Sequence, residues 1–168
     1  YEQVHDEFEL MFMTGAAILM SCCSVLGVAF VRLYTKGVTD TNYIYVYLPI
    51  LFGLIQILSW NRYVSGNLSG IAGYAKIVSK ISVIEAVSNI VLSVILAPKM
   101  GLYGITLATV ISLVFKLVYL TYLGNVVILK RSVRKSCAKI IAYLALYFSI
   151  SFAFVIKPLA IESFVQFI

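Results

Sequence analysis

From Ile77 to Ala97 the chain reads IVSKISVIEAVSNIVLSVILA, and after Pro98-Lys99-Met100-Gly101 it resumes from Leu102 to Leu123 as LYGITLATVISLVFKLVYLTYL. Both blocks are about twenty residues long and almost wholly apolar, the length an α-helix needs to cross a ~30 Å hydrocarbon layer. Pro98 ends the first helix in this reading, and Gly101 with Gly104 opens the second. So short a turn predicts a tight antiparallel hairpin.

Three further blocks have the same character: Leu10 to Val31, Tyr43 to Asn61, and Ile140 to Ile156. The expected fold is therefore all-α, a polytopic transmembrane helix bundle of about five spans. Hydrophobic residues make up 62% of the chain and charged ones 12%, with a mean hydropathy of +1.01. That leaves too little polar sequence to cover five buried helices in a soluble domain. A transmembrane β-barrel is excluded by the long blocks, which carry no period of two.

Lys and Arg favour cytoplasmic connections. One side receives Arg62, Lys76, Lys80, Lys130, Arg131, Arg134, Lys135 and Lys139, and the other receives Arg32, Lys36, Lys99 and Lys157. The N-terminus is thus expected in the cytoplasm, and Lys36 and Lys99 outside. The net charge of +6 reads as membrane anchoring, with the 130–139 cluster at lipid headgroups, so nucleic acid is not an expected partner.

Individual features sharpen this outline. The segment Tyr1 to Glu9 reads as an acidic loop in which His5 is solvated and not a metal ligand. Because Tyr1 is no initiator, the chain is expected to be a piece of a longer one. Cys22, Cys23 and Cys137 suggest small apolar interior residues and no disulfide framework. The second span either stops near Asn61 or runs on to Gly73 as one helix kinked near Pro49. The longer form is favoured, its polar inner half facing protein or water, with Gly66 and Gly70 as a close-approach pair. The fifth block ends at Lys157-Pro158, and the tail from Leu159 to Ile168 is too short to cross again and is expected to lead into another span.

Glu85 and Lys116 are the only charged residues deep inside the blocks, where each costs about 2.5 to 3.5 kcal/mol to insert. Glu85 lies nine residues from Lys76, and Lys116 eight from Gly124. Both therefore fall about 12 Å from the same ends of adjacent antiparallel helices. They are expected at one level, either as a pair that locks the helices or as part of a hydrated cationic cavity for an anionic substrate or a coupling ion. Asn89 and Ser93 continue the face of Glu85. Arg62 joins this layer if the second span is long, either as an anion contact or as a snorkelling interfacial residue. No Walker A sequence, dinucleotide glycine pattern, nucleophile elbow or Cys-x-x-Cys occurs, so neither an enzyme nor a cofactor is expected.

Several stretches in order, Arg32–Asp40 with Tyr43, Ala72–Lys76, Ile84–Ser93, Lys99–Ile105 with Ala108-Thr109, and Lys116–Tyr119, resemble the polysaccharide biosynthesis proteins. These are the Wzx-type oligosaccharide flippases of the MOP (MATE-like) superfamily. The resemblance implies a two-lobe transporter, with residues 1–124 as four spans of the C-terminal lobe and 125–168 as an additional span and the start of a further segment. It further implies movement of undecaprenyl-pyrophosphate-linked oligosaccharide across the cell inner membrane for O-antigen, lipopolysaccharide or capsule assembly. The expected partners are that lipid-linked oligosaccharide, membrane lipid, the N-terminal lobe of the same protein and the polysaccharide polymerase machinery.

Arg62 and Lys116 stand where such proteins carry basic residues, and so become substrate-binding candidates, with Glu85 and Asn89 as ion-pair or coupling residues. The family often has Arg where this chain has Lys116, and His where it has Tyr74. A Lys keeps the field but loses the bidentate phosphate geometry. The rival readings are a small-molecule or multidrug exporter of the same superfamily, and a membrane enzyme or structural subunit of polysaccharide assembly.

Overall fold

The computed structural model describes residues 2–36, 45, 47–130 and 132–156, with backbone alone at 2, 3, 5, 28, 32, 62–67 and 154–156. The loop expected at Gly37 to Tyr43, Arg131, and the Lys157-Pro158 end with its tail lie outside the described residues. The described chain is all helix: α1 (Glu2–Tyr34), α2 (Leu48–Ser69), α3 (Ala75–Met100), α4 (Leu102–Tyr122) and α5 (Val133–Ile156). Wide π-type turns at Gly70–Tyr74 and Leu123–Ile128 extend α2 and α4.

Among the described residues, four segments are long and apolar enough to cross a membrane: Asp6–Val31, Gly70–Met100, Leu102–Ile128 and Val133–Ala153. The second block differs from its expectation: among the described residues the apolar part of α2 is Leu48–Asn61, shorter than a span. The helix itself does run past Asn61, to Ser69, and its polar continuation is partly covered by protein: Asn61, Leu68 and Ser69 are buried. It turns at Gly73, whose φ of 86° is a left-handed conformation that glycine adopts without a Cβ penalty.

Packing runs in the order α3, α4, α2, α1, α5, each helix lying mainly against its neighbours in that series. One core joins α1, α2 and α5 through Met13, Ile50, Ile57, Tyr143 and Tyr147. A second joins α2 to α4 through Leu58, Leu113 and Leu117. The edge helix α3 has Ile81 as its only buried residue, while Val87, Ile90 and Val94 are exposed, as a lipid-facing helix would have them.

The connections alternate between two ends. At one end Tyr45, before α2, meets Tyr103 of α4 edge-to-face at 5.6 Å between centroids. At the other, Lys139 of α5 bridges to Asp6 and Glu9 of α1, 3.1 Å from each. This second contact explains why the acidic segment is helical and not a loop: carboxylates favour a helix N-terminus, and two of them have a cation across the interface. His5 accordingly lies on helical backbone. The basic cluster is likewise partly helical, since α5 already starts at Val133.

The α3–α4 hairpin forms as the sequence predicts, with one change. Pro98 sits inside the last turn of α3, and the reversal is made by Gly101, whose φ is 57° and whose N–H donates to Ala97 O at 2.8 Å. Gly104 is required for another reason, since a Cβ there would strike the Leu96 carbonyl.

Candidate functional site

A spacing of four residues, just over one helical turn, places Glu85, Asn89 and Ser93 along one edge of α3. The tight hairpin brings that edge against α4, and Lys116 Nζ donates to Glu85 Oε2 at 2.5 Å. The two side chains are 7% and 17% exposed, so the pair is held largely out of solvent. Small residues make room for it on α4. Ser112, one turn before Lys116, is buried and turns its hydroxyl back to Ala108 O at 2.9 Å.

A second polar step follows along the seam. Asn89 Oδ1 accepts from Ser93 Oγ at 3.2 Å and from Thr109 Oγ1 at 3.4 Å, and Thr109 also reaches Ile105 O at 3.1 Å. The hairpin thus carries a strip of paired polar groups between two otherwise apolar helices. Chemically it offers a carboxylate, an ammonium and amide and hydroxyl oxygens, which can exchange a proton or bind a cation or an anion if the pair opens.

Arg62 can be placed by its backbone alone, because its side chain lies outside the described residues. Leu58, one turn before it, packs on Leu113 and Leu117. The backbone of Arg62 is therefore beside the part of α4 that follows Lys116. Gly66, of the expected close-approach pair, is likewise described by backbone alone. Gly70 is exposed, and a Cβ added there would meet nothing within 4 Å, so it makes no close approach.

Close approach occurs instead at Gly53, where a Cβ would meet Tyr147 Oη and, at 2.5 Å, Ser24 Oγ. Tyr147 of α5 donates to Ile50 O at 2.7 Å and lies 2.8 Å from Ser24 Oγ, which in turn reaches Pro49 O at 3.1 Å. Three helices are tied together at this point by uncharged groups, which is why the charge pattern did not reveal it. The available sequence signal was a glycine, Gly53, and a serine, Ser24, each set within an apolar block. A fourth link joins the end of α4 to α5, where Ser136 Oγ donates to Asn125 Oδ1 at 2.9 Å and Asn125 Nδ2 donates to Thr121 O at 2.8 Å.

The cysteines correct another expectation. Cys22, Cys23 and Cys137 are free, as expected, but all three are exposed rather than interior. Consecutive residues 22 and 23 point away from the buried stripe of α1 that carries Ala17, Ser21 and Ser24.

A cavity of about 580 Å³ opens between α1 and α2, reaching from Met20 and Gln56 to Val31 and Tyr45. Neither Glu85 nor Lys116 lines it. The chain matches no protein-family model, and no characterised protein or solved structure shows significant similarity to it.

Proposed function

We propose that this chain is part of a flippase of the Wzx type, which carries an undecaprenyl-pyrophosphate-linked oligosaccharide across the cytoplasmic membrane for surface polysaccharide assembly. The observation that supports the reading is the Glu85–Lys116 pair, set with Asn89 and Thr109 into a hairpin of membrane-length apolar helices. Ionisable groups at such depth mark transport pathways and proton relays. The motif resemblance around the same hairpin supplies the substrate class.

In this mechanism the chain is one wall of a site between two lobes that rock against each other. While Glu85 holds Lys116, the pair contributes no net charge to the site. When the pair opens, the Lys116 ammonium faces the site without its partner, and the hairpin then attracts the pyrophosphate as a field. Arg62, whose guanidinium can take phosphate oxygens two at a time, makes the directional contact. The N-terminal lobe completes the site, and the polymerase of the same pathway receives the flipped glycan.

The test is surface polysaccharide in a deletion strain complemented with the full-length protein, its Arg62→Ala variant, or residues 1–168 alone. The full-length protein restores export, Arg62→Ala reduces it at an unchanged membrane level, and the fragment does not export. Unchanged polysaccharide in the deletion strain would overturn the flippase reading. Wild-type export by Arg62→Ala would remove that residue from the site.

A further inference from the structure

The cavity between α1 and α2 has dimensions and chemistry of its own. It extends along α1 from Met20 to Val31, eleven residues and so about 16 Å of helix, close to half of a ~30 Å hydrocarbon layer. Its inner end therefore lies near the middle of the apolar stretch of α1, and its outer end at the level where Tyr45 meets Tyr103. It is open on the side where Cys23, Phe30 and Phe52 are exposed. That opening is continuous with the apolar surface of α1 and α2.

The lining carries no charged side chain among the described residues. Of its few polar groups, Ser24 is already engaged with Pro49 and Tyr147. A pyrophosphate, a sugar or a metal ion would find almost nothing to bind there, whereas a hydrocarbon chain would find apolar walls along its whole length. Among the described side chains, charge enters beyond the mouth, where exposed Lys36 follows Val31 by five residues. A tyrosine hydroxyl and an ammonium at that level suit an anionic headgroup.

We infer that this cavity is a lipid site: one acyl chain of a bilayer phospholipid lies between α1 and α2, with its phosphate at the level of Tyr45 and Lys36. The site spans one leaflet and takes a single chain. It is separate from the Glu85–Lys116 seam and stands or falls independently of the transport reading. The occupant is a membrane phospholipid rather than the much longer isoprenoid chain of a carried substrate, because the lining runs only from Met20 to Val31 along α1, about the length of one leaflet.

The test uses the protein in vesicles of phosphatidylethanolamine containing phosphatidylglycerol with a diazirine at the end of one acyl chain. After illumination, adducts are mapped by peptide mass spectrometry. Adducts are expected at Met20 and Gln56, on the cavity floor, in addition to those at Ile84 and Val87 on the exposed face of α3, which report ordinary lipid contact. A Cβ at Gly27 meets only Pro49, at 3.5 Å, so Gly27→Leu fills the cavity from one side and Cys23→Phe from another. Each is expected to lower floor labelling by about tenfold, the effect of a clash worth ~1.4 kcal/mol, with labelling on α3 unchanged. Absence of floor adducts in the wild type, or floor labelling unchanged in both variants, would overturn the proposal. Loss of floor adducts on adding polyprenyl phosphate, with α3 still labelled, would assign the cavity to an isoprenoid chain and overturn it equally.

Discussion

Lys116 and Glu85 face each other across the α3–α4 seam at 2.5 Å, 31 residues apart in sequence and on helices whose other charges, Lys76, Lys80 and Lys99, lie towards the ends of α3. The two charges neutralise each other where neither could be left alone. Removing one partner strands the other in a low-dielectric site, at a cost of about 3 to 5 kcal/mol, whereas removing both leaves an apolar seam. A double-mutant cycle on unfolding in detergent should show Glu85→Gln and Lys116→Met each destabilising more than the double variant. Additive losses would mean that the pair contributes nothing as a pair.

The Gly53 contact gives a sharper steric test. A methyl group at this position enters the space of Tyr147 Oη and Ser24 Oγ, so Gly53→Ala should destabilise by about 1 to 3 kcal/mol through overpacking and a lost hydrogen bond. Tyr147→Phe removes the oxygen that the methyl strikes. In the Tyr147→Phe background the Gly53→Ala change should therefore cost less than in the wild type, read from thermal unfolding. An equal cost in both backgrounds would place the clash elsewhere.

Two other glycines should behave oppositely. At Gly104 a Cβ meets the backbone carbonyl of Leu96, which cannot turn away as a side chain can, while at Gly70 it meets nothing within 4 Å. Gly104→Ala should lower stability by about 1 to 3 kcal/mol and loosen the hairpin. Gly70→Ala should be neutral or raise stability by about 0.4 to 1 kcal/mol through the unfolded chain. Thermal midpoints in the reverse order would contradict the hairpin geometry.

Much of this architecture was legible in the sequence because the membrane makes a simple demand: apolar blocks of a fixed length, separated by charge. The hairpin could be read from Pro98 to Gly104, and the Glu85–Lys116 layer from depth alone. The start of α1 was less legible, because an acidic segment reads as a loop until the partner is known. Asp6 and Glu9 become helical residues only once Lys139, 130 residues from Glu9, is placed beside them. The Ser24–Tyr147 link escaped for a different reason: hydroxyl and backbone carbonyl groups carry no pattern, and their meeting depends on the packing of α1, α2 and α5. The shortness of the apolar part of α2 among the described residues was concealed by Tyr45 and Tyr47, which lengthen the apolar run in sequence but precede α2, Leu48–Ser69.

The arrangement of the two ends leads to the last prediction. The Tyr45–Tyr103 contact puts the α1–α2 connection and the α3–α4 turn at one end of the bundle, and the Lys139–Asp6–Glu9 cluster puts the starts of α1 and α5 at the other. Lys36, Lys99 and Lys135 are all exposed, so cysteines at these positions are accessible from whichever side they face. With Cys22, Cys23 and Cys137 changed to Ser, an impermeant thiol reagent applied to intact cells should label Lys36→Cys and Lys99→Cys together and leave Lys135→Cys unlabelled until the cells are opened. The grouping follows from the helix packing, and the direction from the excess of Lys and Arg at the 130–139 end. Labelling of position 36 without 99 would break the packing that the aromatic contact implies. Labelling of position 135 alone from outside would keep the packing and invert the orientation, placing the Glu85–Lys116 layer nearer the outer surface than the cytoplasm.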